Sequence, residues 1–338
     1  MAIAYSTATE PKAVIEAILE EVLFENNTIK DGYVTFNSDI KAGTIITDES
    51  MTVTAQLYTG AALASSGTIT LVDRTIVPTK LEYKQTFLQD ALRSSRFKRS
   101  MKPGAWNIES SEFASMVLAK YGPNVSEDSE NIFWGGITAA TKSAIAGLTP
   151  GAGQGSITAA TQTAVAALTA GLVDGVFAKA LYDNSALGGY IKVTGTTVTS
   201  ANIAAEIGKI YAAIKPEVLA STSNPPVIAC PRAWRQLARI ANNAVGAAQQ
   251  INFEFASSDA NAKCYYNGVE MLFVPTPNNL MAYSYQKSAV SWNTDLVDDV
   301  NRFETGLVVN DGDTQFVRAI YTLAANVGQA TNGVLYGG

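Results

Sequence analysis

The sequence predicts an α+β fold, and three observations carry that reading. Apolar residues recur at helical spacing in several stretches of the first 245 residues. Between 42 and 82 the pattern changes to period-two alternation, the mark of half-buried strands. After residue 264 strand patterns dominate, separated by turn residues such as Asn267-Gly268. Helices and antiparallel strands fall in largely separate runs, not in βαβ alternation.

The elements follow in order. Residues 9–24 predict a helix: Thr9 can cap it, Pro11 suits its first turn, and Val14, Ile15, Ile18, Leu19, Val22 and Leu23 make one apolar stripe. MTVTAQLYTG (51–60) and GTITLVDRTIV (67–77) alternate and predict a long hairpin with a loose connection. Its charge-poor turn is better suited to lying on another subunit than to standing in water. A basic cluster follows at Arg93, Arg96, Lys98, Arg99 and Lys102, suited to an acidic neighbour, a phosphate backbone or plain solvation. IESSEFASMVLAKY (108–121) predicts a helix ended by Pro123; SEDSENIFWGG adds a helical turn or two, stopped by Gly135 and Gly136.

Then comes a near-duplication. ITAATKSAIAGLT (137–149) returns as ITAATQTAVAALT (157–169), differing at four positions. The first copy reads as a loop with a short helix, and the second as running into a helix to about residue 182. Ile203, Ile207, Ile210, Tyr211 and Ile214 form another helical stripe, interrupted by Pro216. PPVIAC (225–230) reads as a buried strand. PRAWRQLARIANNA (231–244) reads as a helix presenting Trp234, Leu237 and Ile240. Three hairpins then follow: one at Asn267-Gly268, one within MAYSYQKSAVSW, and one turning at NDGD (310–313).

Composition narrows the function. Of 338 residues only 16% are charged, about 30 residues short of the usual share of roughly a quarter. Interfaces between copies of a chain are depleted in Asp, Glu and Lys, so the shortage points to a many-subunit assembly; a Thr/Ser/Asn-rich neutral surface would also account for it. The net charge of −6 argues against a general nucleic-acid binder. Histidine is absent, which removes histidine acid–base chemistry, histidine-assisted nucleophiles and nearly all zinc sites. Cys230 and Cys264 are too far apart in sequence for a metal knuckle or redox pair and read as buried thiols. The first residues lack a basic start and an apolar run, so no signal peptide is predicted, and no run reaches the ~18 apolar residues of a membrane span.

No stretch supplies convincing catalytic chemistry. GAGQGS (151–156) lacks the glycine spacing, the preceding strand and the following Lys-Ser or Lys-Thr of a phosphate loop. Asp295, Asp298, Asp299 and Glu304 match no metal-loop spacing and read as a solvated turn. Ser95–Lys98 and Ser284–Lys287 have the spacing of some serine enzymes without their other motifs. The sequence predicts neither an enzyme nor a cofactor or metal site.

Several strings, in this order, carry a resemblance: NIAAEIGKIYAAIKPEVLA, then CPRAWRQLARI, then YNGVEMLFVPTPNNLMAYSYQKSAVSWNTDLVDDVN, and finally TLAANVGQATNGVLYGG. The chain resembles the tailed-bacteriophage major capsid proteins of the Hong Kong ninety-seven fold, most clearly from about residue 183 onward. The resemblance implies an N-terminal arm and lead-in over 1–50 and an extended hairpin loop over 51–82 that overlaps a neighbouring subunit. It implies a peripheral domain with spine helix and duplicated insert over 83–189, an axial domain over 190–265, and a return to the peripheral domain over 266–338. The function so implied is a structural subunit that self-assembles through hexamers and pentamers into an icosahedral shell around double-stranded DNA. The virion capsid is then its location, after assembly in the host bacterial cytoplasm. Scaffold, portal and decoration proteins would be further partners, with DNA held without sequence-specific contacts and no membrane involved. An encapsulin-like compartment shell and a phage tail or adhesion protein are the alternatives. Arg93, Arg96, Lys98, Arg99 and Lys102, with Asp73 and Arg74 on the hairpin, are the candidate assembly residues. No lysine occurs between Lys41 and Lys80, so covalent cross-linking through a hairpin lysine, known in some members, is not expected. About 30 residues precede the first strand-like segment, which implies a separate scaffold or none. The duplicated segment has two open readings: a surface packed against neighbours or under the shell, or an Ala-rich helix pair on the protein's own core.

Overall fold

The alternation of PVIACP decides the architecture, because every one of its residues is buried and successive side chains must therefore feed two different cores. In the computed structural model Pro226–Pro231 is the middle strand of a seven-stranded mixed sheet. The structure describes residues 27–38, 40, 43–53, 67–88, 111–148, 158–182, 191–245, 251–253, 263–276, 281–295, 302–307, 314–328 and 332–337. The helix expected over 9–24, the basic cluster, the Gly loop at 151–156 and the NDGD turn lie outside the described residues.

The chain enters through α1 (Asn27–Lys30) and β1 (Thr35–Ser38), followed by β2 (Thr44–Val53), β3 (Gly67–Ile76) and β4 (Thr79–Leu88). A long helix, α2 (Ser111–Gly135), leads to three short ones: α3 (Ala139–Ala146), α4 (Ala159–Ala166) and α5 (Val176–Leu181). Next come β5 (Ile191–Thr194), α6 (Ile203–Ala213), α7 (Pro216–Leu219), β6 (Pro226–Pro231) and α8 (Arg232–Val245). The remainder is strands: β7 (Ile251–Phe253), β8 (Cys264–Tyr266), β9 (Val269–Val274), β10 (Met281–Gln286), β11 (Val290–Thr294), β12 (Arg302–Leu307), β13 (Thr314–Val327) and β14 (Val334–Gly337).

The seven-stranded sheet runs β5-β14-β10-β6-β9-β8-β7. On one face Ile228, Cys230, Met271, Ala282 and Tyr336 meet α6 and α8, which contribute Ile203, Ile207, Ile210 and Trp234. On the other, Val227, Ala229, Val274, Tyr283 and Tyr285 join a second core with α2, α5 and the other sheet. That other sheet has the order β1-β11-β13-β12, with β4 also paired to β13. The Phe133 ring stacks on Trp292 of β11 at 4.4 Å, and Trp134 lies 6.0 Å from Tyr285 of β10. The C-terminal end of α2 therefore sits between the two sheets.

Several local expectations are corrected. Pro123 does not end the helix; it lies inside the 25-residue α2. Its ring is exposed, and Gly122 before it has no Cβ to clash with the ring. In α8 the buried residues are Trp234, Ala238 and Ala241, while Ile240 is 47% exposed. Trp234 is buried as expected and Leu237 packs against the same core. MAYSYQKSAVSW is not a hairpin: β10 belongs to the seven-stranded sheet and β11 to the other, and a 3-10 turn at Lys287–Ala289 carries the chain across. The Asn267-Gly268 turn is as expected. Both residues have positive φ, 48° and 85°, which suits a tight hairpin between β8 and β9. The β12–β13 pairing also forms, in register from Arg302↔Ile320 to Leu307↔Gln315.

The duplicated segment folds as two like helices, α3 and α4, and the continuous helix expected to 182 is broken between 167 and 175. Thr138 and Thr158 cap them, each accepting a bond from the backbone N–H three residues on. The copies clasp reciprocally. The Lys142 ammonium donates to the Leu168 carbonyl, and the Gln162 amide donates to the Leu148 carbonyl at 3.0 Å. Positions 142 and 162 correspond in the repeat, as do 148 and 168, so the pair has a local twofold relation. Ile145 and Val165 are fully buried in the protein's own core. The own-core reading of the segment is thus the one its inner face satisfies; Ala139, Ala140, Ala159 and Ala160 face outward. Backbone bonds from Gly171 to Ile137 and from Gly175 to Gly136 tie the two ends of the excursion together. Gly136 and Gly175 permit this, since a Cβ at either would lie within 2.6 Å of a backbone carbonyl.

Candidate functional site

A two-stranded ribbon has two faces and no third strand to cover them, so it cannot bury its own apolar side chains. The β2–β3 hairpin is such a ribbon. Its strands pair antiparallel from Thr44↔Ile76 to Val53↔Gly67, and it joins neither larger sheet. It therefore starts at 44 rather than 51, and the chain beyond it, Thr79–Leu88, runs back into the sheet as β4. At its base Ile76 is buried, with 1% exposure. On the opposite face Ile45, Ile69 and Leu71 are 59%, 67% and 61% exposed, and Val77 just beyond the hairpin is also open. Among the described residues only Leu172 and Ile240 are comparable large apolar side chains left in water.

Of the candidate assembly residues, the structure describes Asp73 and Arg74. Asp73 lies on the open face and accepts a 2.7 Å bond from the Thr47 hydroxyl directly across the ribbon. Arg74 points to the other face and is half-buried. There it adds to the effect of burial in lowering the Lys179 ammonium, which Asp174 opposes. Lys179 donates to the Ala325 carbonyl at 2.5 Å. The two neighbours in sequence are therefore not brought together. Arg93, Arg96, Lys98, Arg99 and Lys102 lie outside the described residues.

The buried carboxylates, which sequence reasoning did not single out, tie elements together. Glu206 of α6 accepts from Lys209, the Tyr336 hydroxyl at 2.6 Å and Thr196. Burial raises its carboxyl, but these donors outweigh burial and the net shift is down. Glu130 of α2 accepts from Thr28 and from Arg232 of α8 at 2.8 Å. The exposed Asp128, about two turns along α2 from Tyr121, receives the Tyr83 hydroxyl of β4 at 2.5 Å, while Tyr121 donates to the Tyr83 carbonyl. Lys287, half of a Ser-x-x-Lys pair, spends its ammonium on Glu270, while Ser284 is buried inside β10. Asp295 donates its backbone N–H to Thr322. A solvent-open groove of about 280 Å³ touches Tyr211, Pro226, Tyr265 and Glu270, but its carboxylate is already saturated. Among the described residues no group of three or more His, Cys, Asp or Glu converges as for a metal, and no helix is long and apolar enough to cross a membrane. Cys230 and Cys264 are buried free thiols, and burial pushes the Cys264 thiol up to about 12.

No family model matches the sequence, and no curated protein matches it. Solved structures do. A chain of the satellite phage P4 procapsid with its size determination protein is similar over 96% of this chain and 98% of that one, at 10% identity and a TM-score of 0.52. The capsid of a native GTA particle is similar over 93% and 89%, at 12% identity and a TM-score of 0.55. A chain of Gordonia phage Cozz is similar over 92% and 86%, at 11% identity and a TM-score of 0.50. At such identities the likeness is one of fold, and the fold is that of phage capsid proteins over more than nine-tenths of the chain.

Proposed function

We propose that the chain is the major shell subunit of a tailed phage, assembling through hexamers and pentamers into an icosahedral container for double-stranded DNA. The observation that carries this reading is the near full-length agreement of fold with capsid chains, joined to a projecting hairpin whose apolar face is open. An isolated ribbon of this kind needs a surface to lie on, and the partner in this reading is a neighbouring copy. Each such contact is modest, and closed symmetry multiplies it. The assigned parts are the arm and lead-in before residue 44, the hairpin from Thr44 to Ile76, the peripheral domain from β4 to 189 and over 266–338, and the axial domain over 190–265. Arg93, Arg96, Lys98, Arg99 and Lys102 are assigned to contacts with acidic neighbours, with Asp73 and Arg74 contributing from the hairpin. The role is structural and non-catalytic. An acidic chain suits a container that must not grip its DNA tightly. Scaffold, portal and decoration proteins are the further partners. The virion is its final location, after assembly in the host cytoplasm.

Expression of the chain, size exclusion and negative-stain electron microscopy test this. Closed shells are the expected product, and Ile69→Glu with Leu71→Glu should leave folded subunits that no longer close. A parent chain that stays monomeric at all concentrations would sink the proposal. Nuclease-protected DNA in particles from infected cells separates a virion from a protein-filled compartment.

A further inference from the structure

Residues 28–38 cross the molecule as a strap, gripped at both ends and at the middle. At one end the Thr28 hydroxyl donates to Glu130 of α2 and accepts from the Trp134 indole at 3.1 Å. At the other, β1 pairs in parallel with β11, and the Asn37 amide donates to Asn293 at 2.9 Å. In between, Tyr33 is buried; its hydroxyl donates to Glu270 of β9 at 2.7 Å, and its carbonyl accepts from Tyr285 at 3.2 Å. The strap thereby touches α2, the seven-stranded sheet and the five-stranded sheet. It leads through Ile40, whose N–H bonds Thr294, directly into the hairpin.

The middle grip is the charged one. Lys263 and Lys287 each lie 3.2 Å from the Glu270 carboxylate, and the Lys287 ammonium sits 5.0 Å over the Tyr33 ring. The other titratable groups facing the cluster are the Tyr265 phenol from β8, the buried Tyr285 phenol from β10 and Asp31 from the strap itself. Without the carboxylate's charge, the Tyr33 phenol would lose its acceptor and the half-buried Lys287 its ion-pair partner, leaving Asp31 as the remaining counter-charge beside the cluster, a costly arrangement for the partly buried groups.

We propose that Glu270 is the catch of this strap, and that residues 31–38 come away as a unit when its charge is lost, unzipping the edge strand β1 from β11 while the seven-stranded sheet and the rest of the other sheet stay intact. Burial raises the Glu270 carboxyl, but the Tyr33 bond and the two lysines outweigh it, so the folded group titrates below its ordinary range. Strap protection is therefore full above the ordinary carboxylate range and fades as pH falls through the lower folded value. This inference does not rest on the shell reading, since its readout is internal to one chain.

Peptide-resolved hydrogen exchange on the full chain is the test. In Glu270→Gln at neutral pH the amides of Val34 to Ser38 should exchange about tenfold faster, while those of β6 and β10 stay as protected as in the parent. Tyr33→Phe, which keeps the ring under Lys287 but deletes the hydroxyl, should accelerate the same amides less. Unchanged strap amides in Glu270→Gln would overturn the proposal, and so would equal acceleration in strap and sheets, which marks a general stability residue. Should Glu270→Gln not fold, the parent under acid decides, after correction for intrinsic exchange. Loss of strap protection ahead of β10 supports the catch, and simultaneous loss refutes it.

Discussion

The two copies of the repeat share most of their sequence, a capped helix and a buried β-branched anchor, yet they have different neighbours. In the first, Asp174 accepts from the Thr138 N–H at 2.7 Å and from the hydroxyls of Thr138 and Thr141. In the second, Thr161 is buried beside Gly337 of the last strand. Local structure repeated because a capping threonine, an Ala-rich turn and one β-branched anchor suffice for a short helix wherever they occur. Tertiary partners did not repeat, because the molecule around the pair has no twofold symmetry. The lesson is that nine shared residues out of thirteen suffice to fix the element, and position in the chain fixes what it touches.

Three tests would break or sharpen that comparison. The largest effect belongs to the anchors. Ile145→Ala should cost roughly 2–5 kcal/mol by urea denaturation, and Val165→Ala less by the ~0.5–1.5 kcal/mol of an Ile-to-Val change. Equal, negligible costs would mean the pair is not seated on the core. Next, Asp174→Ala should cost about 1–3 kcal/mol by leaving three donors without their acceptor. It should speed exchange in α3 but not in α4; equal loosening of both helices would make the copies equivalent after all. Smallest is the exchange of clasping residues. Lys142→Gln combined with Gln162→Lys preserves one charge and the reciprocal reach, so stability should change by less than about 0.5 kcal/mol. A large loss would show that the clasp depends on which copy carries the charge.

Helix stripes and hairpins were readable where burial follows the period of the element. Ile203, Ile207 and Ile210 are buried as their spacing predicts, and Asn267-Gly268 makes its turn. In α8 the period held for Trp234 and Leu237 but failed at Ile240, which is exposed while Ala238 and Ala241 are buried. It failed at Pro123, since a proline stops a helix only when its neighbours cannot hydrate or relieve the break. It failed at Lys287–Ala289, where two adjacent strands look like a hairpin but part company between sheets. The open face of the ribbon was partly legible: its charge-poor turn and alternation suggested a surface without a cover. The carboxylate ties at Glu130, Glu206 and Glu270 were not, since each joins residues about a hundred or more positions apart for at least one contact.

By itself the sequence determined the α+β class, the repeated capped helices, the hairpin pairs and the shortage of charge. All of these are set by neighbours within about a dozen residues or by composition, and local propensity acts at that range. The tertiary structure alone decided that one strand, β6, separates two cores, that α2 runs through its proline to lodge between two sheets, and that the N-terminal strap is fastened to Glu270. Those outcomes depend on long-range packing and on desolvated charges finding partners, and no local pattern encodes which distant residue will be there.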